Sequence, residues 1–215
     1  MEKPSELKYK EFWNERYKDS NFAYGKEPNL FFKEQVQKLK PGTMLLPADG
    51  EGRNGVFAAK LGWKVTAVDL SKKGELKALK LASEQKVNID YIVDDIEKIE
   101  FPKESFDVVA LIYAHFSSWK ISTIHKKLTQ LLKENGTIIF EAYSKKHLVY
   151  KETNQKAGGP GDIDMLFSLE QIQTDFKGFE IQILEEKEIV LNEGEFHKGA
   201  GSVIRFVGEK ISHLK

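Results

Sequence analysis

Apolar and polar positions along the chain divide it into a helical preface, an alternating α/β stretch and an all-β ending. Helical spacing runs from Lys8 to Tyr17, with Phe12, Trp13 and Tyr17 along one side. It recurs from Leu30 to Leu39, with Phe32, Val36 and Leu39 roughly on one face. Pro41-Gly42 breaks the pattern before a short apolar run, Met44 to Leu46. Alternation follows. A helix is predicted over 53–61, then a strand from Val65 to Val68 ending on Asp69. Next comes a helix over 72–85, capped by Ser71 and burying Ala78, Leu79 and Ala82. A strand over 89–93 ends in Asp94-Asp95-Ile96. The run Phe106 to Ile112 is continuously apolar, as a strand covered on both faces requires. Helical spacing of Ile124, Leu128, Leu131 and Leu132 predicts a helix over 119–132. Asn135-Gly136 then turns into a strand over 137–140.

Beyond residue 140 the alternation stops. Residues 144–164 form a polar stretch with Gly158-Gly159-Pro160-Gly161, too long for a simple connection and therefore a candidate lid. Ser168-Leu-Glu-Gln171 is a capping box opening a short helix. Two strand-like runs, 179–184 and 201–207, flank a polar stretch with Gly194 and His197-Lys198-Gly199, and read as antiparallel neighbours. The expectation is a Rossmann-like α/β domain: a seven-stranded mixed sheet, helices on both faces, the last strand pair antiparallel. Its parts are an N-terminal arm (1–40), a βαβ core (43–140), a lid-like loop (144–165) and the terminal strands (179–207). Ligands on such sheets bind at the C-terminal strand ends, beside strand one.

Composition narrows the chemistry. In 215 residues, Lys+Arg and Asp+Glu each total 33, so no basic footprint suggests nucleic acid or a membrane surface. The absence of cysteine removes thiolate catalysis and disulfides. The first residues show no apolar signal core, and no apolar run is long enough to span a bilayer, so a cytoplasmic protein is expected. No tight His/carboxylate spacing suggests a metal.

The candidate chemistry lies in Gly50-Glu51-Gly52-Arg53-Asn54-Gly55, between a strand and a helix. Glycines there let the backbone approach a ligand, and the free N–H groups of the new helix favour an anion. Asp69, at the tip of the next strand, can accept from two ribose hydroxyls. An adenosine-containing ligand with an anionic end fits; the G-x-G-x-x-G pattern with Asp69 at this spacing also suits a nicotinamide dinucleotide, and these residues alone leave the ligand class open.

Further motifs extend the pattern along the chain: Phe12-Trp13-Asn14-Glu15-Arg16-Tyr17, Tyr24-Gly25-Lys26-Glu27-Pro28-Asn29, Ala48-Asp49-Gly50-Glu51-Gly52-Arg53-Asn54, Val68-Asp69-Leu70-Ser71, Asp94-Asp95, Phe106-Asp107-Val108-Val109, Gly158-Gly159-Pro160, Glu193-Gly194 and His197-x-Gly199. Taken together they resemble the class I S-adenosylmethionine-dependent methyltransferases, more narrowly their tellurite-resistance and thiopurine-methyltransferase-like branch. The first loop departs from the family pattern, with Leu46 and Ala48 where an acid and a glycine are common.

The resemblance implies S-adenosylmethionine as cofactor, with Gly50 and Gly52 at its methionine end, Asp69 on the ribose, and Asp95 and Ile96 at the adenine. Asp49, Leu70, Tyr113, Trp13 and Tyr24 complete that set. It implies methyl transfer to a small-molecule acceptor, with a soft thiol or chalcogen as the favoured class, by a monomer or weak dimer. Where a proton must be removed, His115 after the fourth strand, His197 in the terminal loop and Tyr17 in the arm are the candidates. His125 reads as solvated, His147 as part of the lid and His213 as tail. A nicotinamide oxidoreductase and a non-catalytic cofactor-binding protein are the alternatives.

Overall fold

The structure, a computed structural model, describes residues 6–212. Its elements are α1 (Glu6–Arg16), α2 (Leu30–Val36), β1 (Thr43–Pro47), α3 (Arg53–Lys60), β2 (Lys64–Asp69), α4 (Lys72–Glu84), β3 (Asp90–Val93), β4 (Phe106–Ile112), α5 (Ile121–Leu131), β5 (Leu132–Tyr143), α6 (His147–Thr153), α7 (Leu169–Asp175), β6 (Phe179–Glu193) and β7 (His197–Lys210). The seven strands form one sheet in the order β3-β2-β1-β4-β5-β7-β6. Strands β1 to β5 run parallel, and β7 is antiparallel to both β5 and β6. The chain winds outward from β1 to β3, then crosses back to β4, so the switch point lies between β1 and β4.

Both faces of the central strands β1 and β4 are covered, which is why their sequences are almost continuously apolar. On one face Leu45, Val109, Leu111 and Phe140 pack with Ile124 and Leu128 of α5 and with Phe167 and Phe176. On the other, Met44, Leu46, Val108 and Ala110 pack with Phe32, Val56, Ala78 and Leu81 from α2, α3 and α4. Successive residues of β1 thus feed opposite layers, as the two-residue period of a strand requires.

The two end caps predicted from sequence form. Ser71 Oγ accepts from Gly74 N, and Ser168 Oγ accepts from Gln171 N. Other expectations need correction. Leu79 is exposed, and Leu81 takes its buried place on α4. α2 ends at Val36, and α5 starts at Ile121, leaving Trp119 in an exposed turn and Leu132 in β5. Asn135 does adopt a turn conformation (φ 60°), but within β5. His125 is fully buried: its Nδ1–H donates to Asp175 at 2.8 Å, and its ring packs on Phe176. A partner 50 residues away in sequence, on another helix, is invisible to helical periodicity.

Residues 144–165 are not a plain loop. They contain α6 and two 3-10 turns, Gln155–Ala157 and Ile163–Met165. The last strands are also far longer than their apolar cores, pairing from Phe179↔Lys210 out to Glu193↔His197. His197 therefore lies at the start of a strand, not in a loop. His213 falls outside the described residues.

Candidate functional site

A cavity of about 800 Å³ opens at the C-terminal ends of β1, β2 and β4. It is covered by α1, by residues 151–165 and by the β6–β7 hairpin tip. Its first half is local in sequence. After Pro47 the backbone turns through Ala48 at φ 57°, Gly50 at φ 58° and Gly52 at φ 83°. Asp69 closes this turn: its two carboxylate oxygens accept from Gly50 N and Ser71 N, each at 2.9 Å. Burial raises the Asp69 carboxyl to about 6, against the opposing pull of these backbone donors. Asp49 is buried below it and accepts from Gly55 N at 3.2 Å. Burial, then repulsion from Asp69, pushes Asp49 well above the usual carboxylate range.

Gly50 has no room for a side chain, since an added Cβ would lie 2.6 Å from Tyr17 Oη. Tyr17 is buried and reaches the turn from α1, which Asn14 fixes by accepting from Ser71 Oγ at 2.8 Å. Gly52, by contrast, does not line the cavity. Its missing Cβ faces Ala78 of α4 at 2.5 Å, so it serves helix packing. Further along the wall lie Leu70, Asp95 and buried Ile96. Asp95 accepts from Glu97 N at 3.0 Å and pairs with Lys120 at 3.4 Å.

The second half is assembled from distant segments. Tyr113 follows β4 at φ 52°, and its hydroxyl is shielded with no protein partner. His115 Nδ1 lies 3.0 Å from the Met165 carbonyl oxygen. A carbonyl only accepts, so Nδ1 carries the proton and Nε2 is the bare acceptor nitrogen. That Nε2 is also shielded and unpartnered. Burial, partly offset by the Met165 bond, lowers His115 to about 4, so the ring is neutral at pH 7.

His197 is oriented by a carboxylate. Its Nδ1–H donates to Glu193 Oε2 at 3.0 Å, the same oxygen that Arg53 Nη2 meets at 2.8 Å. Glu193 Oε1 accepts from Asn29 Nδ2 at 3.2 Å, and Asn29 also donates to buried Glu141 at 2.6 Å. Burial alone would raise Glu193, but the bonds from His197 and Arg53 hold it near 2. His197 itself is lowered by burial more than Glu193 raises it. Tyr143 lies among the histidines, with ring centroids 5.6 Å from His115, 3.8 Å from His147 and 5.5 Å from His197.

Of the residues singled out from sequence, Trp13, Tyr17, Tyr24, Asp49, Gly50, Asp69, Leu70, Asp95, Ile96, Tyr113, His115 and His197 all line this one cavity. Sequence reasoning missed Tyr143, Lys151 and Met165, which share it, and gave no role to Arg53. Nothing in local periodicity marks them. Glu193-Gly194 and His197-x-Gly199 are the sequence signals that the hairpin tip returns to the site.

A family model described as a methyltransferase domain matches residues 47–136, which run from the end of β1 to the Asn135-Gly136 turn. No curated protein matches. Among solved structures, one comes from work on the conversion of a disulfide bond into a thioacetal group during echinomycin biosynthesis. It is 15% identical with a TM-score of 0.74, covering 96% of this chain and 94% of that one. Magnesium protoporphyrin IX methyltransferase from Synechocystis PCC 6803, solved with bound SAH, is 14% identical with a TM-score of 0.69, covering 96% and 100%. TehB from Haemophilus influenzae is 14% identical with a TM-score of 0.68, covering 94% and 67%. At these identities the likeness is one of fold, and it bears out the Rossmann-like seven-stranded architecture.

Proposed function

We propose that this chain is an S-adenosylmethionine-dependent methyltransferase of the tellurite-resistance and thiopurine-methyltransferase-like branch. Its acceptor is a small molecule with a soft, protic nucleophile such as a thiol or reduced chalcogen. One observation carries the reading: the glycine-and-acid turn and two neutral histidines with acceptor nitrogens face a single covered cavity.

The residues present fit the cofactor. Asp69 keeps lone pairs free beyond its two backbone bonds, enough for ribose hydroxyls. Asp95 and Ile96 would flank the adenine, and Asp49, Gly50, Tyr17, Trp13 and Tyr24 would meet the methionine end; in support, all of them line the one cavity. When bound, S-adenosylmethionine supplies an electrophilic methyl on a cationic sulfonium. The chain's part is to align the nucleophile, keep water out and accept a proton. His115 Nε2, pinned by Met165, and His197 Nε2, pinned by Glu193, are each set to take it.

The test is calorimetric titration of the protein with S-adenosylmethionine, SAH and NAD, followed by an assay for SAH release with thiol, chalcogen and amine acceptors. Micromolar binding of the two sulfur cofactors, with none of NAD, is expected. Tighter binding of NAD would overturn the cofactor. Binding without SAH release from any acceptor would leave a non-catalytic binding protein.

A further inference from the structure

We propose that the methyl acceptor is an organic anion, its negative group held by Arg16 and Lys151 at the arm-and-lid side of the cavity. This rests on the methyltransferase reading and names the acceptor class for the same site.

Both cations line the cavity. Among the described residues neither forms an ion pair, although 33 acidic side chains are available in the chain. Arg16 is nevertheless held in place. Nη1 donates to Tyr24 Oη at 3.0 Å, and the guanidinium lies 4.0 Å from the Phe196 ring centroid and 5.2 Å from that of Phe12. Stacking of this kind leaves the edge donors of a guanidinium free for a planar anion. Lys151 Nζ donates to the Gly158 and Gly159 carbonyls, which leaves one of its three protons uncommitted.

The two cations also feel each other. Burial first, and then the charge of Arg16, lowers the Lys151 ammonium, a mutual cost that a bound anion would relieve. Five of the six acids that line the cavity are placed elsewhere. Asp49, Asp69, Asp94 and Asp95 gather at the β1–β3 strand ends, and Glu51 is taken by Lys77 and by Ala23 N. Asp162, the one carboxylate of the lid segment on the wall, caps a 3-10 turn through Asp164 N. The cavity is thus polarised, acidic at the strand ends and cationic at the roof. The rings of Tyr24 and Phe196 beside Arg16, and of Tyr143 beside His115, share this wall and offer an apolar lining for the body of the acceptor.

The experiment uses a matched pair, 4-mercaptophenylacetate and its amide, in which a neutral group of the same size replaces the carboxylate. Binding to the whole chain is measured with and without saturating SAH, and kcat/KM is measured with S-adenosylmethionine. The acid is expected to bind at least about tenfold more tightly than the amide, the range of a charge-assisted pair. In K151M and R16M this preference should shrink severalfold, with SAH affinity within about twofold of wild type; K151R should keep most of it.

Equal affinity for acid and amide, or no measurable binding of either, overturns the proposal. So does a loss of SAH affinity in K151M and R16M, which would assign both cations to the carboxylate of the cofactor itself. A wild-type protein that binds the acid but not SAH would instead overturn the methyltransferase reading and leave the anion site standing.

Discussion

The two halves of the cavity are built on opposite electrostatic plans. At the strand ends, among the described residues, Asp49 and Asp69 are buried without an ion pair, and burial pushes their carboxyls up, Asp69 to about 6. At the hairpin, Glu193 is buried with Arg53 and His197 against it and is held near 2. The sign of each linkage follows. Asp69 is easier to protonate folded than unfolded, so acidification from about pH 6 to 4 relieves a cost in that half. Glu193 is harder to protonate folded than unfolded, so its contribution is complete above about pH 4.5 and drains away as the pH falls toward 2. One half spends stability to keep an acceptor ready for a ligand; the other uses charge to hold the fold closed.

The comparison can be broken most forcefully at Glu193. Truncation to alanine would leave the Arg53 guanidinium buried without a counter-charge and free the His197 ring. A loss of about 3–5 kcal/mol is expected, which thermal unfolding would register as a fall of roughly 10 °C in a domain of this size. A change under a few degrees would mean that the hairpin charge network is ornamental.

At Asp69 the expectation is reversed. Asp69→Asn should leave Tm at pH 7 unchanged or raised. SAH affinity should nonetheless drop about tenfold or more, from lost hydrogen bonds to a charged acceptor of about 1.5–3 kcal/mol. In wild type that affinity should itself decline below about pH 6 as the carboxyl protonates, and calorimetry from pH 7 to 5 should find no such decline in the variant.

The smallest effect lies at Ala48. Held at φ 57°, it occupies a conformation that costs an L-residue about 1–2 kcal/mol, while glycine loses part of this advantage through its freer unfolded chain. Ala48→Gly should therefore stabilise by about 1 kcal/mol, seen as a rise of about 2–4 °C. A fall in Tm would show that the methyl packing against the core outweighs the strain.

The same division explains what the sequence revealed. The strand-end half is written in consecutive residues: the glycines of the turn, Asp69 nineteen positions on, and the apolar strands that present them. Periodicity and turn chemistry reach that far. The other half needs contacts across the chain, such as Asn29 with Glu193 or His115 with the carbonyl of Met165. His115 and His197 could be named from their places in the pattern, yet their tautomers could not, because the fixing partners lie far away in sequence or on strand ends that look polar. The β6–β7 extension was missed for a related reason. Its outer residues, from Glu185 to Asn192, are largely exposed on one side and carry too few apolar positions to advertise a strand. His125 read as solvated because its buried partner, Asp175, belongs to another helix.

The hairpin tip has a consequence for how the protein comes into being. Glu195 N donates to the Ala23 carbonyl at 2.9 Å, and an added Cβ at Gly194 would lie 2.3 Å from that same oxygen. The first and last quarters of the chain thus meet across a closure of about 170 residues. Contacts of such separation are slow to form and late to be rewarded. During synthesis the glycine turn and β1 to β5 leave the ribosome well before β6 and β7, so the nascent chain carries an open cup with one wall missing. Competence should arrive abruptly, with the final hairpin, rather than grow as the chain lengthens.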